Sequence, residues 1–558
     1  MDKIQLNEQE RFTLSEYLFP SVTETPDDLE AKFPPRNLKE GAVISRMAPS
    51  PTGFVHLGNL VQGLTSERMC HQSDGVLFLR VEDTDAKREV PGAIETLIES
   101  LSHYGISFDE GATLEGDRGQ YGPYRQRQRK EIYHVYAKKL LLEGLAYPCF
   151  CTEDELSAIH AAQEAEKANF GYFGKWAKWR DATLEEILSA LKENRPWVLR
   201  FRSTGSIENK IRFTDLIKGN MELTENDIDH VLLKSDGIPT YHFAHAVDDH
   251  LMHTTHVVRG DEWLSTLPFH IQLFRALGFK VPKYLHIGPL MKMDGSSKRK
   301  LSKRKDPELA LTYYKAEGFP TKSVYEYILT ILNSNFEDWR RANPFASTDE
   351  FKFSYKKMNP AGSLFDYMKL LDVSKNVISK MTANEVYTEI LNWTAEFDPE
   401  LNVLLSSDPE KALAILSIGR GGDKPRKDIA TWGEIRSYLG FFYDPIFSVE
   451  ESLDESMNRE DALAILDSYA SIYDECDDSG LWFEKITNLA VSLGFAAKPK
   501  EYKTNPEAFK GHVGDVSMVL RLAVTGKKAS PDLYSVMKIL GKGAVFARIS
   551  DYRSRLVK

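Results

Sequence analysis

The sequence predicts an α/β protein, a doubly wound nucleotide-binding domain that carries an α/β insertion and is followed by an all-α C-terminal region. Three observations predict it. A strand–turn–helix–strand unit runs from residue 44 to 85. A second α/β stretch resumes near Ile228 and ends in a dense basic cluster at 298–305. From about Asp306 onward the apolar spacing is helical almost throughout.

Residues 1–40 are rich in acids and prolines, Pro26, Pro34 and Pro35 among them, and read as a leader with a helical stretch at 14–18. The first nucleotide-fold half, 41–147, opens with an apolar strand over 42–47. The turn Ala48-Pro49-Ser50-Pro51-Thr52-Gly53 follows, and then Phe54-Val55-His56-Leu57-Gly58-Asn59. Leu60, Val61 and Leu64 recur at helical spacing, so a helix begins there. Gly75 introduces a second strand, 76–81, that ends in Glu82-Asp83-Thr84-Asp85. In such folds ligands bind beyond the carboxyl ends of the strands, where a helix N-terminus offers free N–H groups to phosphate. The turn has neither the glycine spacing of a dinucleotide fingerprint nor the Gly-Lys-Ser/Thr of a P-loop. It offers an imidazole at His56 and, at Gly58, room for close backbone approach. On their own these also describe a strand–helix corner with a satisfied histidine.

Ile94, Leu97, Ile98 and Leu101 mark the next helix, which Gly105 stops, and a Tyr- and Arg-rich turn over 120–129 leads into a strong helix at 132–142. An insertion is expected over 148–226. It opens with Cys149-Phe150-Cys151-Thr152, contains two helical patterns and ends with Trp197-Val198-Leu199-Arg200-Phe201-Arg202. The second half, 227–305, begins with Val231-Leu232-Leu233-Lys234. The helical remainder divides at about 380 into 306–380 and 381–558, with breaks at 421–425 and 477–480.

At 558 residues, the chain needs several cores. With 42% apolar and 27% charged residues it has an ordinary soluble composition. Its apolar runs are too short to span a membrane, and the N-terminus lacks an apolar signal segment, so a cytosolic protein is expected. Four cysteines make no disulfide framework. A net charge of −11 argues against non-specific nucleic-acid binding but leaves room for local basic tracks.

The basic cluster holds six cations in eight positions, Lys-Arg-Lys-Leu-Ser-Lys-Arg-Lys, a composition that also suits a solvated face. Within it, Lys300-Leu301-Ser302-Lys303-Arg304, paired with His56-Leu57-Gly58-Asn59, resembles the double signature of class I aminoacyl-tRNA synthetases. The turn at 50–53, Arg80-Val81-Glu82-Asp83-Thr84-Asp85, Tyr241-His242-Phe243-Ala244 and Val258-Arg259-Gly260-Asp261-Glu262-Trp263 look specifically like the glutamyl-tRNA synthetase branch.

That resemblance implies a Rossmann-like catalytic domain, an acceptor-binding insertion, a stem-contact domain at 306–380 and a helical anticodon-binding region. It implies ATP-dependent activation of L-glutamate and transfer to the terminal adenosine of tRNA(Glu), with tRNA(Gln) left open as a second substrate. Neither step needs a protein nucleophile; positioning and well-placed cations carry the rate. By the same resemblance His56, Gly58, Lys300 and Lys303 are catalytic, and these with Asn59, Glu262 and Ser302 bind ATP, which brings Mg2+ with it. Arg46, with Tyr241 and His245, would face the side-chain carboxylate of glutamate. Ser50 and Glu82 would hold its ammonium, Arg259 its α-carboxylate, and Ala48 would line the pocket. His245 stands where the family often has asparagine.

Some family members bind zinc after a Cys-x-Cys pair. Here the matching stretch 174–179 has no cysteine or histidine, His160 is the only nearby extra ligand, and no structural zinc is expected. Arg200 and Arg202 are generic phosphate-contact candidates, and Arg420, Arg426, Lys427 and Trp432 lie in a region suited to anticodon readout, where a solvated face fits them at least as well. A monomer without membrane association is expected. The rival reading is a tRNA-binding protein on a catalytically retired synthetase fold.

Overall fold

The computed structural model describes residues 6–51, 53–85, 87, 89–422 and 424–557. Thr52 of the small-residue turn, Asp423 of the expected break at 421–425 and the first five residues of the leader lie outside the described residues. The chain divides into two compact units. One comprises 1–311 and 328–366, the other 312–327 and 367–558. The stretch expected as one block over 306–380 is thus shared between them.

In the first unit the leader forms helices α1 (Glu8–Leu18) and α2 (Pro26–Lys32), each opened by a reciprocal capping box, from Asn7 and Glu10 in α1 and from Thr25 and Asp28 in α2. Next come β1 (Ile44–Met47), α3 (Leu57–His71), β2 (Val76–Leu79), α4 (Ala93–His103), β3 (Glu110–Thr113) and β4 (Gly116–Arg118). Strands β1, β2 and β3 run parallel and β4 closes the edge antiparallel. All four residues of β1 are buried, as a parallel strand covered on both faces requires. Ile94, Leu97 and Leu101 form the buried face of α4.

Helix α5 (Lys130–Leu142) leads to β5 (Ala146–Cys149). The insertion then supplies α6 (Glu153–Ala165), α7 (Leu184–Lys192), β6 (Val198–Phe201) and the hairpin β7 (Lys210–Asp215) and β8 (Gly219–Thr224). Strand β9 (Val231–Leu233) pairs with β6, so the sheet β5–β6–β9 takes its outer strands from either end of the insertion. The nucleotide fold resumes with α8 (Tyr241–Leu251), β10 (His256–Gly260), α9 (Leu267–Leu277) and β11 (Lys283–Ile287). Strands β10 and β11 are parallel, and Thr255, entering β10, donates its N–H to the Ile44 carbonyl at 2.9 Å. A further hairpin, β12 (Leu290–Asp294) and β13 (Ser297–Lys300), carries the basic cluster, and β14 (Ser363–Leu364) pairs parallel to β12.

The leader ties together parts of the unit that are distant in sequence. Arg36 makes a bidentate pair with Glu110 at 2.6 and 2.9 Å, and its guanidinium lies 3.8 Å from the Tyr121 ring centroid. Arg36 Nε also donates to the Met252 carbonyl just after α8, and Glu30 takes hydrogen bonds from Tyr136 on α5 and His250 on α8.

The second unit is helical, with a core that includes Val386, Ile390, Leu401, Ile465, Leu520 and Val536. Trp432 belongs to that core and is 2% exposed, so it offers no ring for a base to stack on. Arg420 donates to the carbonyls of Ile378, Leu416 and Met381, and Arg426 is paired with Asp428. Packing thus engages Trp432, and carbonyls at and just after helix ends engage Arg420.

Candidate active site

The turn after β1 and the N-terminus of α3 form one wall of a cleft. His56 is the N-cap of α3, and its backbone N–H donates to Asn59 Oδ1 at 2.9 Å. The Asn59 carbonyl is thereby engaged in shaping the helix start. A Cβ on Gly58 would stand 2.9 Å from the imidazole Cε1 and Nδ1, so glycine lets the ring fold over the helix end. The His56 Nδ1 atom is buried without a hydrogen-bond partner. Burial lowers the pKa of this imidazole; Glu262 opposes that shift, and Lys300 and Lys303 reinforce it.

A cavity of about 230 Å³ lies there, lined by His56, Gly58, Gly260, Glu262, Lys300 and Leu301, among others. A Cβ on Gly260 would meet the Glu262 carboxylate at 2.3 Å, so this glycine admits that acid to the wall. Asp306 anchors the basic loop. It accepts two bonds from Arg299, at 2.6 and 2.8 Å, and one from the Ser302 N–H at 2.8 Å. These bonds hold its carboxyl below the ordinary range. Leu301 is buried, and Lys303 Nζ lies 4.0 Å from the Phe54 ring centroid, beside the His56 turn. Two segments about 240 residues apart in sequence, the histidine turn and the lysine loop, thus meet at one cleft.

Next to it is a buried cluster of charges. Asp249 on α8 accepts from Arg46 Nε at 3.2 Å and from Arg80 Nη1 at 2.6 Å, and Arg80 Nη2 donates to Glu82 at 3.2 Å. Asp248 takes Arg129 Nε at 2.6 Å and the Tyr133 hydroxyl at 2.8 Å. Three guanidinium groups therefore face three carboxylates, which is the condition for tolerating such charges in the interior. Burial pushes the Glu82 carboxyl up to about 7, against the pull of Arg80 and Arg46. The Tyr241 hydroxyl lies in the combined field of Glu82, Arg259, Arg46 and Asp249. Ala48 is half-buried and Ser50 exposed on the turn, whose Pro49 carbonyl accepts the Glu82 N–H at 3.0 Å.

His245 is buried among groups of the protein itself. Its Nε2 lies 2.9 Å from the Tyr284 hydroxyl, and its Nδ1, 2.8 Å from Asp249 Oδ2, is buried without a hydrogen bond of good geometry. Burial pushes this imidazole down to about 4, which makes it a neutral support for Asp249. Arg200 and Arg202 are also engaged internally. Arg200 donates to the Asp229 carbonyl at 2.9 Å and covers the Tyr172 ring, and Arg202 binds Asp181 at 2.8 Å. Their guanidinium groups serve the insertion rather than standing free for phosphate. Near the Cys-x-Cys pair, Cys151 Sγ lies 3.4 Å from the Tyr172 hydroxyl and His160 stacks on Phe170 at 4.1 Å. Among the described residues, no group of three or more histidine, cysteine, aspartate or glutamate side chains is placed to hold a metal ion. The donor set here does not fit a four-ligand zinc.

Sequence reasoning missed Asp248 and Asp249, which hold the buried arginines, and also His270 and His286, which bond Arg259, with Asp215 bonded to His286. A signal existed for the first two: adjacent acids inside the apolar helix from Phe243 to Leu251 need buried partners.

The geometry is a cleft that gathers an imidazole, a lysine and a carboxylate, next to a buried cluster of paired charges. Residues 42–361 match the family model described as tRNA synthetases class I (E and Q), catalytic domain, and 424–553 match an anticodon binding domain. A glutamate–tRNA ligase of Acetivibrio thermocellus is 50% identical over 537 residues, covering 96% of this chain and 98% of the relative. One from Sorangium cellulosum is 46% identical, covering 94% and 97%. The crystal structure of a glutamate–tRNA synthetase from Elizabethkingia anophelis superposes with a TM-score of 0.73 at 29% identity, covering 92% of this chain and 100% of that one. The chain belongs to the glutamate–tRNA ligase branch of the class I aminoacyl-tRNA synthetases. The Acetivibrio match leaves about 4% of the chain outside it, roughly 22 residues. The 40-residue leader is therefore matched at least in part by that relative.

Proposed function

We propose that this enzyme activates L-glutamate with ATP and transfers the glutamyl group to the 3′-terminal adenosine of tRNA(Glu), acting as a cytosolic monomer. The observation that carries this reading is the set of charges acting on the Tyr241 hydroxyl, the Arg46 and Arg259 guanidinium groups and the Glu82 carboxylate, next to the cleft. Two guanidinium groups and one carboxylate complement a molecule with two carboxylates and one ammonium. Each charge removed from water needs such a partner.

Arg46 takes the side-chain carboxylate while Asp249 fixes its Nε. Arg259 takes the α-carboxylate, and Glu82 with Ser50 takes the ammonium. The α-carboxylate oxygen attacks the α-phosphorus of ATP, and pyrophosphate leaves. His56 donates to phosphate oxygens, and Lys300 and Lys303 neutralise the charge that builds as pyrophosphate separates. Mg2+ would accompany ATP and would supply further positive charge to its phosphates, beside His56, Lys300 and Lys303.

The test is glutamate charging of purified tRNA(Glu) and tRNA(Gln), with Lys303→Ala as control. Charging of tRNA(Glu) alone, lost in the variant, supports a discriminating enzyme. Charging of both makes it non-discriminating. Charging of neither, with tRNA still bound, would leave only an RNA-binding protein.

A further inference from the structure

Arg259 is held in an unusual way for a buried cation. It lies on β10 opposite His286 of β11 in the strand register, and it is 3% exposed. Its Nε donates to His286 Nε2 at 2.9 Å, and its Nη1 donates to His270 Nδ1 at 3.2 Å. Among the described residues, it forms no ion pair with a carboxylate. A guanidinium has no lone pair, so each imidazole must present an unprotonated nitrogen to it. That fixes two tautomers. His286 must carry its proton on Nδ1, which lies 2.7 Å from Asp215 Oδ2. His270 must carry its proton on Nε2, which donates to His242 Nδ1 at 2.8 Å.

The remaining atom, Arg259 Nη2, is buried without a partner. Burial lowers the pKa of His270 and of His286, consistent with neutral rings. Burial acts to raise the pKa of Asp215, but the bonds from His286 and from the Ile217 and Lys218 N–H groups outweigh it and hold the carboxyl below its ordinary value. Asp215 therefore stays charged and keeps the His286 proton on its own side.

We propose that Asp215 and His286 are positioning residues for amino-acid binding: Asp215 locks the His286 tautomer, and the His286 lone pair holds Arg259 so that Nη2 and the uncompensated charge face the substrate α-carboxylate. This rests on the reading of Arg259 given above. Asp215 ends β7, in the hairpin of the insertion, so a segment outside the nucleotide fold sets the geometry of the glutamate pocket. The competing role for Asp215 is structural, and its Oδ2 also accepts the His286 backbone N–H at 3.2 Å. Its Oδ1 accepts from the Ile217 and Lys218 N–H groups at 2.9 and 2.8 Å and closes the hairpin turn.

Asp215→Asn with the His286 variants separates the two roles, because the His286 variants leave every backbone bond to Asp215 in place. The Asn carbonyl can keep the two turn bonds, while its NH2 replaces Oδ2 and forces His286 into the other tautomer, setting two donors against each other at Arg259. KM for glutamate and for ATP would be measured by tRNA-dependent ATP–pyrophosphate exchange, alongside thermal melting. Asp215→Asn and His286→Leu are expected to raise the glutamate KM about tenfold or more, the scale of one hydrogen bond to a charged group, with the ATP KM within about twofold. His286→Gln retains an acceptor for Arg259 and a donor for Asp215, and should stay near wild type. Equal losses in His286→Gln and His286→Leu would overturn the proposal, as would an Asp215→Asn glutamate KM that is unchanged or that moves together with the ATP KM. If Asp215→Asn fails to fold, the two His286 variants decide alone. Arg259→Ala tells the two failures apart. A glutamate KM unmoved in that variant would remove the carboxylate reading itself, and the proposal with it.

Discussion

Glutamate affinity should depend on pH through Glu82. The burial that pushes this carboxyl up to about 7 favours its protonated form, and a protonated carboxyl cannot pair with the substrate ammonium. The sign follows from the direction of the shift. The folded-state value lies above the ordinary 4.5, so the cost of ionising a buried acid is absent below that point. It grows as pH rises toward 7 and is constant beyond. Bound glutamate offsets that cost, so binding strengthens over the same interval.

With a titration near 7, about a tenth of the free enzyme carries the Glu82 anion at pH 6 and about nine tenths at pH 8, so the glutamate KM should rise roughly tenfold from pH 8 to pH 6. At saturating glutamate the ammonium holds Glu82 ionised, so kcat should show no limb from this group. Burial pushes His230, His242 and His245 down to about 4, which keeps these three rings out of the window. The assay is tRNA-dependent pyrophosphate exchange across pH 6 to 8, with Glu82→Gln as control. The variant should show a raised and pH-independent glutamate KM. A wild-type KM that is flat over this range, or that falls toward acid, would refute the reasoning.

Asp249→Asn should destabilise the protein by about 3–5 kcal/mol in denaturant unfolding, because Arg46 and Arg80 lose the carboxylate they share. Lys303→Ala should lower kcat about a hundredfold, the scale of one lost charge-assisted contact to the transition state, with little change in the glutamate KM in steady-state charging. Arg36→Ala should cost about 2–3 kcal/mol of stability by thermal or chemical melting, because it removes a half-buried bidentate bond to Glu110 and the clasp between the leader and the end of α8.

The strand–turn–helix opening, the insertion's helices and the helical second half were legible because each is written in local periodicity and turn residues. The histidine turn and the lysine loop were legible as motifs, and the structure brings them to one cleft. What local pattern cannot carry is pairing across the chain. Asp249 meets Arg46 about 200 residues away in sequence, and Asp215 acts on Arg259 through His286. Nor does composition say which arginines are already engaged. Arg200, Arg202 and Arg420 satisfy carbonyls and carboxylates of their own units, and Trp432 fills a core. His245 shows the same limit, since only the positions of Tyr284 and Asp249 reveal what its ring meets.

The most direct test of the central claim is ATP–pyrophosphate exchange with tRNA(Glu) present, comparing glutamate with glutamine. Glutamine has the same shape but leaves Arg46 without a carboxylate, a mismatch expected to lower kcat/KM by a factor of about 100 or more. Exchange with glutamate and a loss of that size with glutamine is the predicted result. Equal exchange with both amino acids, or none with glutamate while tRNA is bound, would contradict the account.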